Sequence, residues 1–245
     1  MKIQICAPHP AALFSNETTA LLANIAGAPV TAVGPGENAT TLEDIVDAIE
    51  EHRRYLGLDQ WVLWGMSGGS FLAQLYARKH PERVLGLILA SSGPYFRRTV
   101  EDPDCTLCPR NPAWANKLAS AGLLTGHYGD GPTSWEQIDG VGWVFRRQEG
   151  AALLVSPDTP SLELKRIMPA LWAFDSQAWL PQITQPALVM CGTADPIVPI
   201  RHARALAELL SNGHLVLVKD AGHIPLTDQR PQVESAIRAF LADLS

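Results

Sequence analysis

The sequence predicts an α/β protein with a mostly parallel central sheet flanked by helices and interrupted once by an inserted segment. Three observations carry this expectation. Short aliphatic runs alternate with longer amphipathic stretches almost from the first residue, as in successive βαβ units. The alternation stops near Phe96 and resumes near Pro186. A glycine-flanked serine, GMSGG, stands where one apolar run gives way to helical spacing.

The strand candidates, in order, are KIQICA (2–7), PVTAV (29–33), WVLWG (61–65), VLGLILA (84–90), PALVMCG (186–192) and HLVLVKD (214–220). Helical spacing covers 17–25, 41–55, 69–79, 201–210 and 230–244. In the second of these, TTLED offers Thr40 or Thr41 as a cap, with Glu43 and Asp44 complementing the helix dipole. Right-handed crossovers then place all six strands in one sheet. Between them, 96–180 carries turn-rich pieces (EDPDC, CPRNP, HYGDGP, SPDTPS) and five of the seven tryptophans: Trp114, Trp135, Trp143, Trp172 and Trp179. Such residues either pack an insertion onto the sheet or contact a substrate.

Composition bounds the function. With 47% hydrophobic and 18% charged residues, the chain suits one folded α/β domain with its own core. The net charge of −6, without a basic cluster, argues against nucleic acid as a partner. MKIQICAPHPAALF has neither the length of a membrane span nor a signal-peptide core, so a cytoplasmic location away from membranes is expected. Cys6, Cys105, Cys108 and Cys191 are too few for a disulfide framework, and the CxxC at Cys105 and Cys108 has no companion ligands for zinc.

Gly65-Met66-Ser67-Gly68-Gly69 matches G-x-S-x-G, the nucleophile elbow. A sharp strand-to-helix turn requires small residues two before and two after the serine. A phosphate loop would need a lysine after the glycines, and the next lysine is Lys79. On the pentapeptide alone, nucleophile and helix cap stay open. A nucleophilic serine needs a base and an orienting acid at the carboxyl ends of later strands. His223 follows the last strand in this way and Asp195 follows PALVMCG, whereas Asp220 sits at the strand's own end and is expected to shape the turn. His52, His80 and His202 read as solvated helix residues, and His127 lies in the insertion.

Ser67, Asp195 and His223 stand in the chain order of α/β-hydrolases. With TTLEDIVDAIEEHRRYLGLDQ, GMSGGSFLAQLYARKHPERVLGLILASSGP, ITQPALVMCGTADPIVP and KDAGHIPL, the chain resembles the α/β-hydrolase-fold serine hydrolases over nearly all of its length outside the insertion. The resemblance implies a hydrolase core (1–95 and 181–245) with an inserted helical cap (96–180). It implies acyl transfer to water, with Ser67 as nucleophile, His223 as base and Asp195 as its partner. Gly68 and the residue matching the family's second oxyanion donor, Ala11, would hold the oxyanion; Pro10 lacks an N–H, and His9 matches the histidine that organises this loop. Trp143, Trp172 and Phe174 are the candidate substrate contacts of an aromatic-rich cap. No cofactor or metal is required, and the partner is a small, largely apolar molecule, an ester or lactone.

Two further readings belong to the same resemblance. The elbow and its helix are similar to those of proline iminopeptidases, in which case Glu136 or Glu149 would hold a free amino terminus. Non-hydrolytic binding proteins also exist on this fold. The chain departs from the family in starting almost directly at the first core strand, so six core strands are expected where eight are usual, and in having Gly68 beside the nucleophile where a larger residue is common.

Overall fold

In the computed structural model, residues 3–10, 16–36, 38–123, 132–147, 152–156 and 158–244 are described. The elements run β1 (Ile5–Pro8), α1 (Asn16–Ala26), β2 (Val30–Val33), α2 (Leu42–Tyr55), β3 (Trp61–Met66), α3 (Gly68–Lys79) and β4 (Val84–Ala90). Next come α4 (Arg97–Val100), α5 (Pro112–Ser120), β5 (Thr133–Ile138), β6 (Gly142–Arg147), β7 (Ala152–Ser156) and α6 (Leu162–Ala173). The chain closes with β8 (Ala187–Gly192), α7 (Ile200–Leu209), β9 (Gly213–Val218), α8 (Pro225–Asp228) and α9 (Arg230–Asp243).

Six strands form one sheet in the order β2-β1-β3-β4-β8-β9, every neighbouring pair parallel. Both faces are covered, which explains why β3 and β4 read as continuous apolar runs. The period of two along each strand divides the core. Trp61, Leu63, Leu87, Leu89 and Val189 face one cluster with α2, α3 and α7. Val62, Trp64, Ile88, Ala90, Leu188 and Met190 face the other, against α1 and α9. Of the two threonines offered as caps, Thr41 closes α2: its hydroxyl accepts from the Asp44 N–H at 3.1 Å, and the Asp44 carboxylate accepts from the Thr41 N–H at 2.9 Å. The Thr40 and Thr41 N–H groups, both donating to the Asp44 carboxylate, hold it below its ordinary range.

β4 pairs directly with β8, and the segment between them is mixed rather than helical. Along with α4, α5 and α6 it contains a second, antiparallel sheet in the order β5-β6-β7. The physical reason is local. Trp135, Trp143, Val144 and Phe145 are strand formers, and the turn between β5 and β6 runs through Gly140 at φ 74° and is closed by the Val141 N–H donating to the Ile138 carbonyl at 3.1 Å. Phe145, Leu154, Ile167 and Trp172 join the core cluster of α2 and α3, so this segment is packed onto the main sheet's helices.

Candidate active site

Ser67 sits between β3 and α3 with φ 51° and ψ −121°, a conformation L side chains rarely adopt. Its N–H donates to the Ala90 carbonyl at 2.9 Å and its own carbonyl accepts from the Ser70 N–H at 3.0 Å. The hydroxyl makes no capping bond to the helix, so of the two roles left open, capping is not the one it fills. The flanking glycines are sterically demanded. A Cβ at Gly65 would lie 2.5 Å from the Ser70 Cα, and one at Gly69 would lie 2.2 Å from the Pro8 carbonyl oxygen.

Gly68, where relatives commonly carry a larger residue, is closely approached as well. A Cβ there would meet the Pro10 ring at 2.7 Å, because the loop leaving β1 presses on the elbow. In the same loop His9 is buried, and burial pushes its imidazole down to about 4, which keeps it neutral near pH 7. Ala11, the other candidate oxyanion donor, lies outside the described residues, as do His127 and Glu149.

At the far side of the sheet, β8 and β9 deliver an acid and a base to each other. The Ala194 N–H donates to the Ala221 carbonyl at 2.8 Å and the Thr193 N–H to the Val218 carbonyl at 2.9 Å, which ties the two strand-end loops together. His223 Nδ1 then stands 3.0 and 3.1 Å from the two Asp195 oxygens. The Asp195 side chain is fully buried, and its Oδ1 also accepts from the Ile197 and Val198 N–H groups at 2.8 and 3.0 Å. A buried carboxylate needs such donors, and these three fix its orientation. Asp220, the rejected alternative, takes φ 57° and donates its N–H to Thr193 Oγ1, as a turn residue does.

A cavity of about 50 Å³ adjoins Ser67. Its wall is largely apolar, with Phe71, Phe96, Val100, Leu107, Ile197 and Val198. Trp172 and Phe174 pack one layer behind that wall: Phe174 lies 4.7 Å from Phe71 and Trp172 lies 6.2 Å from Phe96, ring centre to ring centre. Trp143 is engaged elsewhere, with Lys165 Nζ 3.8 Å from its ring centre and its indole N–H donating to Thr159 Oγ1. Phe71 and Phe96, unremarkable in sequence, are therefore the aromatic neighbours of the serine. Its place one helical turn after the elbow serine was the available signal for Phe71; Phe96 had none.

His202 departs from the sequence expectation of a solvated helix residue. It is buried, with Nε2 2.7 Å from Asp102 Oδ2 and Nδ1 3.3 Å from the Tyr95 hydroxyl. Burial lowers its pKa against the opposing pull of Asp102. Burial also works to raise the Asp102 carboxyl, but bonds from Arg201, the Asp104 N–H and His202 outweigh it and hold the carboxyl below its usual range. The partner comes from the inserted segment, 100 residues away, which is why helical spacing alone misread it. Cys105 and Cys108 are buried free thiols, and among the described residues no three His, Cys, Asp or Glu side chains gather as a metal site would require. Among those residues, too, no helix is long and apolar enough to cross a membrane.

Comparison with known proteins gives the same architecture. The alpha/beta hydrolase fold family matches residues 12–120, and the TAP-like protein family matches 165–245. A pimeloyl-[acyl-carrier protein] methyl ester esterase from Xanthomonas oryzae is 25% identical over 188 residues, covering 75% of this chain and 71% of that protein. A proline iminopeptidase from Neisseria gonorrhoeae is 36% identical over 98 residues, 40% of this chain and 26% of that one. Across three other curated relatives, the chain spans 32%, 41% and 62% of the relative's length. Among solved structures, an alpha/beta fold family hydrolase from Bacillus anthracis superposes with a TM-score of 0.71 at 15% identity, over 97% of this chain and 91% of that one. Strand order, elbow and family matches converge, and the chain has the α/β-hydrolase fold.

Proposed function

We propose that this protein is a serine hydrolase that cleaves a carboxylic ester or lactone of a small, largely apolar substrate through an acyl-enzyme on Ser67. The observation that carries the reading is the strained backbone of Ser67, whose hydroxyl serves no helix cap. Strain of this kind persists where surrounding structure holds it, and it accumulates at sites of chemistry.

In this reading His223 accepts the Ser67 proton through Nε2 as the hydroxyl oxygen bonds to the substrate carbonyl carbon. Asp195, bonded to Nδ1, selects the tautomer that leaves Nε2 free and stabilises the imidazolium. The Gly68 N–H, in the first turn of α3, stabilises the oxyanion, and Ala11 is the proposed second donor. Collapse of the tetrahedral species breaks the ester C–O bond, and the imidazolium protonates the departing alkoxide. Water then attacks the acyl-enzyme by the same route and returns the proton to Ser67. The apolar cavity beside the serine and the methyl ester esterase among the relatives favour an ester.

An aminopeptidase reading draws on the proline iminopeptidase relative. It is ranked second because Glu136, one of its two candidate amino-terminus ligands, is engaged by Arg146 at 2.6 Å across β5 and β6. Turnover of short-chain p-nitrophenyl esters and labelling by a fluorophosphonate, both lost in Ser67→Ala, are the expected results. Absence of turnover and of labelling would sink the hydrolase reading in favour of a binding protein. Faster cleavage of prolyl arylamides than of esters and lactones would move the assignment to the second reading.

A further inference from the structure

The cavity beside Ser67 is lined by two polar groups that find no partner among the described residues. Ser91 and Ser92 follow β4, line the cavity together with Ser67, and are 0% and 2% exposed. Among the described residues neither hydroxyl has a hydrogen-bond partner. Buried hydroxyls in native proteins are nearly always satisfied, so two adjacent exceptions call for a cause. Thr99, the other hydroxyl on the wall, is satisfied within the fold, donating to the Tyr95 carbonyl at 2.9 Å. Ser91 is also strained: its φ is 50°, and its N–H is tied to the Met190 carbonyl at 2.8 Å. A β-strand exit that required only a turn would place glycine there at lower cost. Strain, burial and a free hydroxyl coincide on one residue that shares a wall with the nucleophile.

The size of the cavity limits what can enter. At about 50 Å³ it holds a few heavy atoms, given that one water-sized sphere takes roughly 10–15 Å³. That is the length of a short acyl chain. A plain alkyl chain would leave both hydroxyls without a partner, whereas a chain that carries an oxygen offers them one.

Resting on the ester-hydrolase reading above, we propose that this cavity takes the acyl half of the substrate and that Ser91 and Ser92 select a short acyl chain carrying a hydroxyl or carbonyl oxygen near its carbonyl carbon. They are specificity residues; the chemistry remains with Ser67.

The test compares kcat/KM for ethyl 3-hydroxybutanoate, ethyl butanoate and ethyl octanoate by proton release. The wild type is expected to favour the hydroxy ester over butanoate and to turn over octanoate poorly. In Ser91→Ala and in Ser92→Ala the ratio of hydroxy ester to butanoate should fall about three- to tenfold, the contribution of one hydrogen bond. Because both substrates share a leaving group and their intrinsic reactivities cancel between variants, a general loss of folding would not move this ratio. Ser91→Gly, which deletes the same hydroxyl while relieving the backbone, should lower the ratio equally. Ser70→Ala removes a third unpartnered buried hydroxyl, one that does not line the cavity, and should leave the ratio as in the wild type. Ratios unchanged within about twofold in both Ser91 and Ser92 variants, or octanoate cleaved as fast as butanoate, would overturn the assignment while the hydrolase reading stands. If no ester is turned over and Ser67 takes no fluorophosphonate, both fall together.

Discussion

Replacing Ser67 by glycine and, separately, by alanine distinguishes the backbone's contribution from the hydroxyl's. Both variants remove the proposed nucleophile and should be inactive toward esters. Their stabilities should differ. Alanine keeps the Cβ that makes φ 51° and ψ −121° unfavourable, a strain of about 1–3 kcal/mol for such a conformation. Glycine releases it, at the expense of about 0.4–1 kcal/mol of added freedom in the unfolded chain. The balance makes Ser67→Gly more stable than Ser67→Ala by about 1 kcal/mol, or ~2–4 °C in Tm for a chain of this size. Because the hydroxyl caps nothing, Ser67→Ala should itself stay within about 0.5 kcal/mol of the wild type. Urea unfolding followed by tryptophan fluorescence, with calorimetry as a second probe, measures all three. A glycine variant equal to or weaker than the alanine variant would refute the claim that the elbow stores strain, and with it the main support for a nucleophile at this position.

Two predictions concern the scaffold. Gly69→Ala should destabilise by about 1–3 kcal/mol or more and reduce soluble yield, because its Cβ would meet the Pro8 backbone carbonyl at 2.2 Å; Gly36→Ala, with nothing within 4 Å, should stay near the wild type in the same melts. Glu50 is buried between α2 and α3 and accepts from Arg53, Arg54 and the Tyr76 hydroxyl, and the Arg53 bond above all lowers its carboxyl to about 2 from an ordinary 4.5. A folded pKa below the unfolded one gives stability that is present in full above pH 4.5 and disappears as pH falls toward 2, here about 3 kcal/mol. Glu50→Gln should be destabilised near pH 7 and should lack this portion of the acid-dependent loss; an unaltered slope of stability against pH between about 2 and 4.5 in the variant contradicts the assignment.

Much of this molecule follows from local sequence. The six core strands are legible because a parallel sheet covered on both faces requires continuous apolar runs, and WVLWG and VLGLILA have nothing else to form. Asp195 and His223 could be singled out because their distance from a strand's carboxyl end is a matter of counting residues. A cap at Thr40 or Thr41 was legible from the acidic residues that follow, and the three-residue spacing of Thr41 and Asp44 decided between them in the structure. Other features depend on segments remote in the chain meeting in space. The β5-β6-β7 sheet needs three short segments to pair, and each alone is too brief to declare itself. His202 looked solvated until the loop carrying Asp102 closed over it. The wall beside Ser67 is assembled from α3, the exit of β4, the Cys105 to Leu107 turn and the loop after β8. A linear pattern reports what each residue prefers against water, and so it determined the six core strands, the helices between them and the sharp turn at Ser67. Which buried polar groups find partners is a property of three-dimensional proximity, and only the tertiary structure decided that His202 would be satisfied and that Ser91 and Ser92 would find no partner among the described residues.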